Sequence, residues 1–222
     1  MHIEIHKLVR SKRRTIALIV ERDGSLTVRA PRRAAVAEIQ SFIMEKKDWI
    51  LRTQERFLSL GKAPKKDYKD GERFLFLGNE YGLSLVKPQQ PVLKFENGFT
   101  LGSTVQNKGE QIFTQWYREQ AHSVITERVE LFSVQYGFSP KRVKISSART
   151  RWGSCSPDGT LNFTWRLVMA PMSVVDYVVV HELSHLRVKD HSNRFWREVE
   201  QIMPEYKNCR RWLRTYGETL NL

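Results

Sequence analysis

The sequence predicts an α+β protein. A β-rich N-terminal part with one long helix packs with a C-terminal part of helices around a small antiparallel sheet. Three observations predict it. Strand-like runs separated by turn pairs such as Asp23-Gly24, Gly78-Asn79 and Asn97-Gly98 fill the first hundred or so positions. Apolar residues at helical spacing dominate most of the remaining chain. One late segment, around Val174–Leu186, is apolar nearly all round, as buried helices are. The expected division is 1–105 for the β-rich region and 106–222 for the helical domain.

The chain has 222 residues, 41% of them hydrophobic, with six Trp, enough for a real core. No run approaches the ~20 apolar residues of a membrane span. The opening Met1-His2-Ile3-Glu4-Ile5 lacks a signal-peptide layout, and two cysteines make no disulfide framework. A reducing, cytoplasmic setting and no membrane partner are therefore expected. The net charge is +13, and it is unevenly spread. Residues 1–70 carry 17 basic against 9 acidic side chains, and residues 138–222 carry 14 against 8. Such a surface suits an anionic partner, nucleic acid included, but no nucleic-acid motif accompanies it. Plain solubility charge is the competing reading.

Along the chain, residues 3–9, 14–21 and 25–30 read as strands, with Asp23-Gly24 as a hairpin turn. The basic cluster Arg10, Lys12, Arg13 and Arg14 falls in the first connection. From Ala35 to about Leu60, Val36, Ile39, Phe42, Ile43, Trp49, Ile50, Phe57 and Leu58 recur at helical spacing, and Gly61 supplies a stop. The polar stretch 61–71, with Pro64, is the linker candidate. Phe74–Leu77, Tyr81–Val86, Val92–Phe95 and Phe99–Leu101 read as an antiparallel meander. A long amphipathic helix over Glu110–Tyr136 ends at Gly137. Arg142–Ser146 and Thr160–Leu167 are strands. Two further amphipathic helices come after them, one around Phe195–Met203 and one around Cys209–Tyr216.

The chemistry converges on His181-Glu182-Leu183-Ser184-His185. Two histidines four residues apart lie on one helix face and can reach one metal ion. The Glu between them is rotated away and can hold a metal-bound water, the general-base position of a zinc hydrolase. His191 lies beyond a helix break expected at Lys189-Asp190. A chance motif of this kind occurs on the order of once in a hundred such sequences. The bland alternative is a surface helix with solvated histidines. Burial argues against it, because two histidines and a Glu without partners would cost several kcal/mol. Pro171 and Ser173, with Asp176 three residues on, resemble a capping box at the start of this helix.

With Arg151-Trp152-Gly153-Ser154-Cys155-Ser156 upstream, Ala170-Pro171, Asp176 to Leu186, then His191-Ser192, Phe195-Trp196, Pro204 and Arg211-Trp212-Leu213, the sequence resembles the YgjP-like metallopeptidase family. The resemblance covers about the last 80 residues at motif level, and the first 140 by order of elements only. It implies a zincin-like α+β core related in plan to the SprT and WLM proteases. It also implies that His181, His185 and His191 bind one zinc per chain and that Glu182 activates the water. A peptide or protein is then the substrate.

Around that centre, Thr160–Leu167 is the strand expected to align an extended peptide, with Asn162 or Arg166 touching it; the alternative is that both only hold the strand. Arg151 either stabilises an oxyanion or pairs with a carboxylate near the helix. Tyr206 is a hydrogen-bond donor to a tetrahedral intermediate, or else core. Cys155 offers a deformylase-type ligand, which His191 makes unnecessary. Two other classes stay open: a zinc-stabilised binding module, and an SprT-like protease working on nucleic-acid-bound substrates through the basic N-terminal region. The oligomeric state is not legible.

Overall fold

The computed structural model describes residues 3–21, 23–60 and 66–222, with the side chains of 56–60 left out. The chain divides into two compact units, Met1–Pro64 and Lys65–Leu222. The Gly61 stop and Pro64 of the linker lie outside the described residues, as do the side chains of Phe57 and Leu58.

In the first unit, β1 (Lys7–Ser11), β2 (Ala17–Val20) and β3 (Leu26–Pro31) form a sheet in the order β1-β3-β2. The β2–β3 pair is the expected hairpin, with Gly24 at φ 82° and the Asp23 carboxylate accepting from the Ser25 N–H at 2.9 Å. β1 instead joins β3 in parallel. The single helix expected over Ala35–Leu60 is two, α1 (Val36–Glu45) and α2 (Lys47–Leu60), broken where Lys46 leaves helical geometry at φ −98°, ψ 12°. Ile39, Ile43 and Ile50 nevertheless share one buried face across the break, against Val20, Leu26, Val28 and Ala30. Arg10 is not a free cation of the basic cluster. Its guanidinium donates to the carbonyls of Pro31, Arg32 and Ala34, at 2.7 Å for Ala34.

The second unit contains the strands of residues 73–102 together with everything C-terminal to them. The boundary expected near residue 105 would instead group those strands with the N-terminal region. They stay with the C-terminal elements because their aromatic faces pack on the long helix. β4 (Arg73–Phe76), β5 (Asn79–Val86), β6 (Leu93–Phe95) and β7 (Phe99–Gly102) are ordered β4-β5-β7-β6. β5 and β7 run parallel, so the sheet is mixed and not the meander that the turn spacing suggests. Helix α3 (Gly109–Tyr136) aligns Phe113, Tyr117, Ala121, Ile125 and Val129 along one buried stripe. Phe113 stacks on Phe74 at 4.2 Å, and the Tyr117 hydroxyl donates to the Leu75 carbonyl. Gly137 ends α3 in the left-handed conformation at φ 67°, as predicted.

The third sheet frames the site. β8 (Arg142–Ser146), β9 (Gly153–Cys155) and β10 (Thr160–Thr164) are ordered β8-β10-β9, parallel for β8–β10 and antiparallel for β9–β10. The strand expected to reach Leu167 stops at Thr164. Trp165–Met169 is a buried 3-10 turn, and the Val168 and Met169 carbonyls receive the N–H groups of Leu77 and Gly78. The segment is thus held by the β4–β5 turn, and Pro171 sits so close that a Cβ on Gly78 would lie 2.9 Å from its Cα.

Helices α4 (Met172–Ser184), α5 (Asn193–Ile202) and α6 (Tyr206–Tyr216) complete the unit. The capping box expected at the start of α4 does not form. Pro171 is the N-cap, with no side-chain cap bond. Asp176 instead receives a two-point ion pair from Arg128 of α3, with Nε–Oδ1 at 2.6 Å and Nη2–Oδ2 at 3.0 Å. A partly buried carboxylate gains more from a guanidinium fork than from two backbone N–H groups already near water. Among the described residues, no helix is long and apolar enough to cross a membrane.

Candidate metal centre

Val174, Val175, Val178, Val179, Val180 and Leu183 bury α4 on several sides, and this burial carries the motif inside. Helical spacing puts His181 and His185 one above the other on a shared face. The helix closes at Ser184, a turn earlier than the predicted break, with His185 as its C-cap. Val188 turns back over the end, its N–H bonding the Ser184 carbonyl at 2.9 Å. That turn returns the chain so that His191 meets the other two. His191 Nε2 lies 3.0 Å from His181 Nε2 and 3.2 Å from His185 Nε2.

Nitrogens this close share either a proton or a cation. The tautomer of His185 agrees with the cation. His185 Nδ1 lies 3.0 Å from the Val188 carbonyl, so it must carry the proton and leave Nε2 its lone pair. Burial, reinforced by the charges of His185, His191 and Arg210, holds His181 down to about 3, so its ring is neutral at ordinary pH. Burial lowers His185 as well, against the pull of the Val188 carbonyl. Among the described residues this triad is the group of His, Cys, Asp and Glu atoms close enough to hold a metal ion. Cys155 is not in it. Its Sγ donates to the Ser156 carbonyl, and burial raises its pKa, which disfavours the thiolate a ligand would need.

The rings are braced from α5. Phe195 is fully buried and stacks on His185 at 4.4 Å, with His181 at 4.8 Å and His191 at 4.9 Å. Trp196 stacks on His191 at 5.8 Å and on Tyr206 at 5.4 Å.

Glu182 points from α4 to β9 and is only 5% exposed. Burial pushes its carboxyl up to about 8, opposed by the Arg151 charge and by the Cys155 backbone N–H that it accepts. A dication nearby would add to that downward pull. The approach of helix and strand is so close that a Cβ on Gly153 would lie 2.6 Å from both Glu182 Cγ and Oε1. A glycine inside a strand commonly marks such a contact.

The remaining residues singled out in the sequence divide. Arg151 is exposed just before β9, and its charge reaches Glu182. Tyr206 is 5% exposed and lies in a ring stack with Tyr177 and Trp196, the core role. Asn162 is turned away. Gly153 pairs with Phe163 and meets Glu182 on that face, and side chains alternate along a strand, so Asn162 belongs to the other face. Arg166 is 7% exposed, donates to the Ser147 carbonyl and Asn221 Oδ1, and stacks on Trp165 at 4.1 Å. The strand expected to align substrate is itself the centre of its sheet. β8 and β9 occupy both of its edges. Sequence reasoning missed β9, the role of Gly153 and the bracing rings. Gly153 among small residues, shortly before the Asp158-Gly159 turn, was the available signal.

A solved structure described as the metallopeptidase zymogen of Pyrococcus abyssi abylysin is similar over 42% of this chain and 95% of that one, at 25% identity and a TM-score of 0.38. No curated protein matches. The model of the YgjP-like metallopeptidase domain matches residues 14–216, a span that includes the histidine triad and Glu182. This chain belongs to the YgjP-like metallopeptidase family.

Proposed function

We propose that this protein is a zinc-dependent peptidase in which His181, His185 and His191 hold the metal and Glu182 is the general base. The observation that carries the reading is the convergence of three imidazoles, with His191 Nε2 at 3.0 Å from His181 Nε2 and 3.2 Å from His185 Nε2, beside a carboxylate held apart by β9. Two imidazole nitrogens on one tetrahedral zinc lie about 3.3 Å apart, from bond lengths of about 2.05 Å. An all-imidazole set also suits zinc better than magnesium or calcium, which prefer oxygen. With three protein ligands a position stays open, as in catalytic sites and unlike closed structural ones. The bound metal supplies Lewis acidity to the scissile carbonyl and to the attacking water.

The protein's own groups do the rest. Glu182 Oε takes the proton of the attacking water and returns it to the departing amine. The Cys155 N–H and the contact with Gly153 hold that carboxylate in one position. Substrate alignment falls to β9, because β10 has no free edge. Trp152 and Ser156 bond towards β10, through Thr164 N–H to Trp152 O and Ser156 N–H to Thr160 O. The alternate residues Gly153 and Cys155 therefore direct their backbone groups outwards, the Cys155 N–H to Glu182 and the others to the open edge. An extended peptide adding to that edge would carry its scissile bond to the triad.

The test is metal analysis with a chelator and Glu182→Gln. The protein should carry about one zinc per chain and hydrolyse unfolded peptides in a chelator-sensitive way. Glu182→Gln should keep the zinc while hydrolysis falls at least ~10²-fold. Wild-type rates in that variant would refute the role of Glu182, and a zinc-free wild type would refute the metal.

A further inference from the structure

Three cations from separate parts of the chain lie near the metal centre. Arg151 lies in the loop entering β9, Lys189 between His185 and His191, and Arg210 on α6, all exposed. Each is near enough for its charge to be felt within the centre. Arg151 acts on Glu182, Lys189 on His185 and Cys155, and Arg210 on His181 and Tyr177. Of the nearby acids, Asp158 pairs with Lys141 at 3.1 Å. Asp190, whose carboxylate accepts from the Ser192 N–H at 3.1 Å, opposes Lys189 at His185 without forming an ion pair with it, so the cations stay in excess. Among the described residues, none of the three cations forms an ion pair, although their neighbours do. Arg187 on the same turn pairs with Glu198, and Lys207 on α6 with Glu200 at 2.9 Å.

Leaving three cations unpaired around a site that also takes a dication is repulsive unless an anion joins them. Arg210 is the best prepared to bind one. Its guanidinium lies 4.7 Å from the Trp196 ring centroid, and Trp196 in turn stacks on His191 and Tyr206. Stacking uses the face of a guanidinium and leaves its N–H edge for a two-point contact with a carboxylate. Tyr206 and Arg210 are four residues apart on α6, so the ring that supports Trp196 and the cation that covers it share one helix face.

We infer that Arg210, with Arg151 and Lys189, makes the mouth of this centre select anionic substrates, namely peptides carrying a carboxylate beside the scissile bond. Arg210 is the main specificity-determining residue. The inference deepens the peptidase reading and rests on it. The carboxylate comes from either a Glu or Asp side chain or a free C-terminus.

Binding to the full-length Glu182→Gln protein tests it without turnover. Fluorescent peptides of one sequence are compared with Glu, Gln or Lys next to the scissile bond, each with a free or amidated C-terminus. The metal-loaded and chelated protein are both titrated at low and high salt. The acidic form should bind about tenfold tighter than its Gln counterpart, with the preference shrinking in salt. Adding Arg210→Gln should remove most of that ratio, Arg210→Lys should restore part of it, and the distant equal-charge change Arg73→Gln should leave it intact. A Glu/Gln advantage identifies a side chain as the source, and a free-acid/amide advantage identifies the C-terminus. Equal binding of all forms, a ratio untouched by Arg210→Gln in a protein of unchanged melting temperature, or no binding at all would overturn the inference. Charge preference in binding without any hydrolysis by wild type would instead count against the peptidase reading alone.

Discussion

Helix α4 and the segment 185–191 immediately after it deliver histidines to the same point by different means. Most α4 residues from Val174 to Ser184 are buried, and His181 enters that environment neutral, with its Nδ1 making no hydrogen bond among the described residues. In the segment beyond, Arg187, Lys189, Asp190 and His191 are exposed. Arg187 ties the start of the segment to the Tyr136 and Gly137 carbonyls at the end of α3 and to Glu198, whereas around His191 the contacts are local: the Asp190–Ser192 turn and the Phe195 ring. Packed helices open only with much of the molecule, whereas exposed turns open at little cost. The difference teaches that His181 is set by the packed core while His191 rides on an exposed turn, which metal binding is expected to order further.

The sharpest way to break this comparison is to remove one ligand from each side. His181→Ala should lose the metal and also destabilise the chelated protein by on the order of 2 kcal/mol, through the gap left beside Phe195 and Tyr177. His191→Ala should weaken metal retention but leave the melting temperature of the chelated protein near wild type. Hydrogen exchange should slow at 185–191 when metal is added, with little change in α4. Equal melting of the two chelated variants would show that the sides do not differ.

A smaller effect is expected at the strand that faces α4. Gly153→Ala places a Cβ where Glu182 Cγ and Oε1 now lie, so the carboxylate must shift. Overpacking of this kind costs about 1–3 kcal/mol. Hydrolysis should fall towards the Glu182→Gln level while metal content stays unchanged. Full activity in Gly153→Ala would mean that β9 does not position the base.

Cys155→Ser should change least. Its sulfur is outside the triad, so metal stoichiometry and retention during chelator challenge should match wild type. Reduced retention would restore a deformylase-like ligand role for Cys155.

Local features of this protein were legible from its residues because they depend on neighbours in the chain. The Asp23-Gly24 turn, the stop of α3 at Gly137 and the strand Arg142–Ser146 are read from spacing and conformational preference. Features set by distant partners were not. Asp176 has the spacing of a cap, but Arg128 on another helix competes for it. Trp165–Met169 is as apolar as a strand, but the β4–β5 turn takes two of its carbonyls. Arg166 has the position of a substrate contact, but Ser147 and Asn221 accept its hydrogen bonds.

The metal-binding character of this chain was determined by the sequence alone, since helix geometry forces His181 and His185 onto one face whatever surrounds them. The direction of Glu182 away from them comes from the same 3.6-residue repeat. Tertiary structure decided the rest of the centre: the return of His191, the burial of Glu182 against Gly153, and the placing of β9 at an edge of the sheet with β10 at its centre. Those outcomes depend on which segments meet after folding, and local propensity carries no record of partners far along the chain.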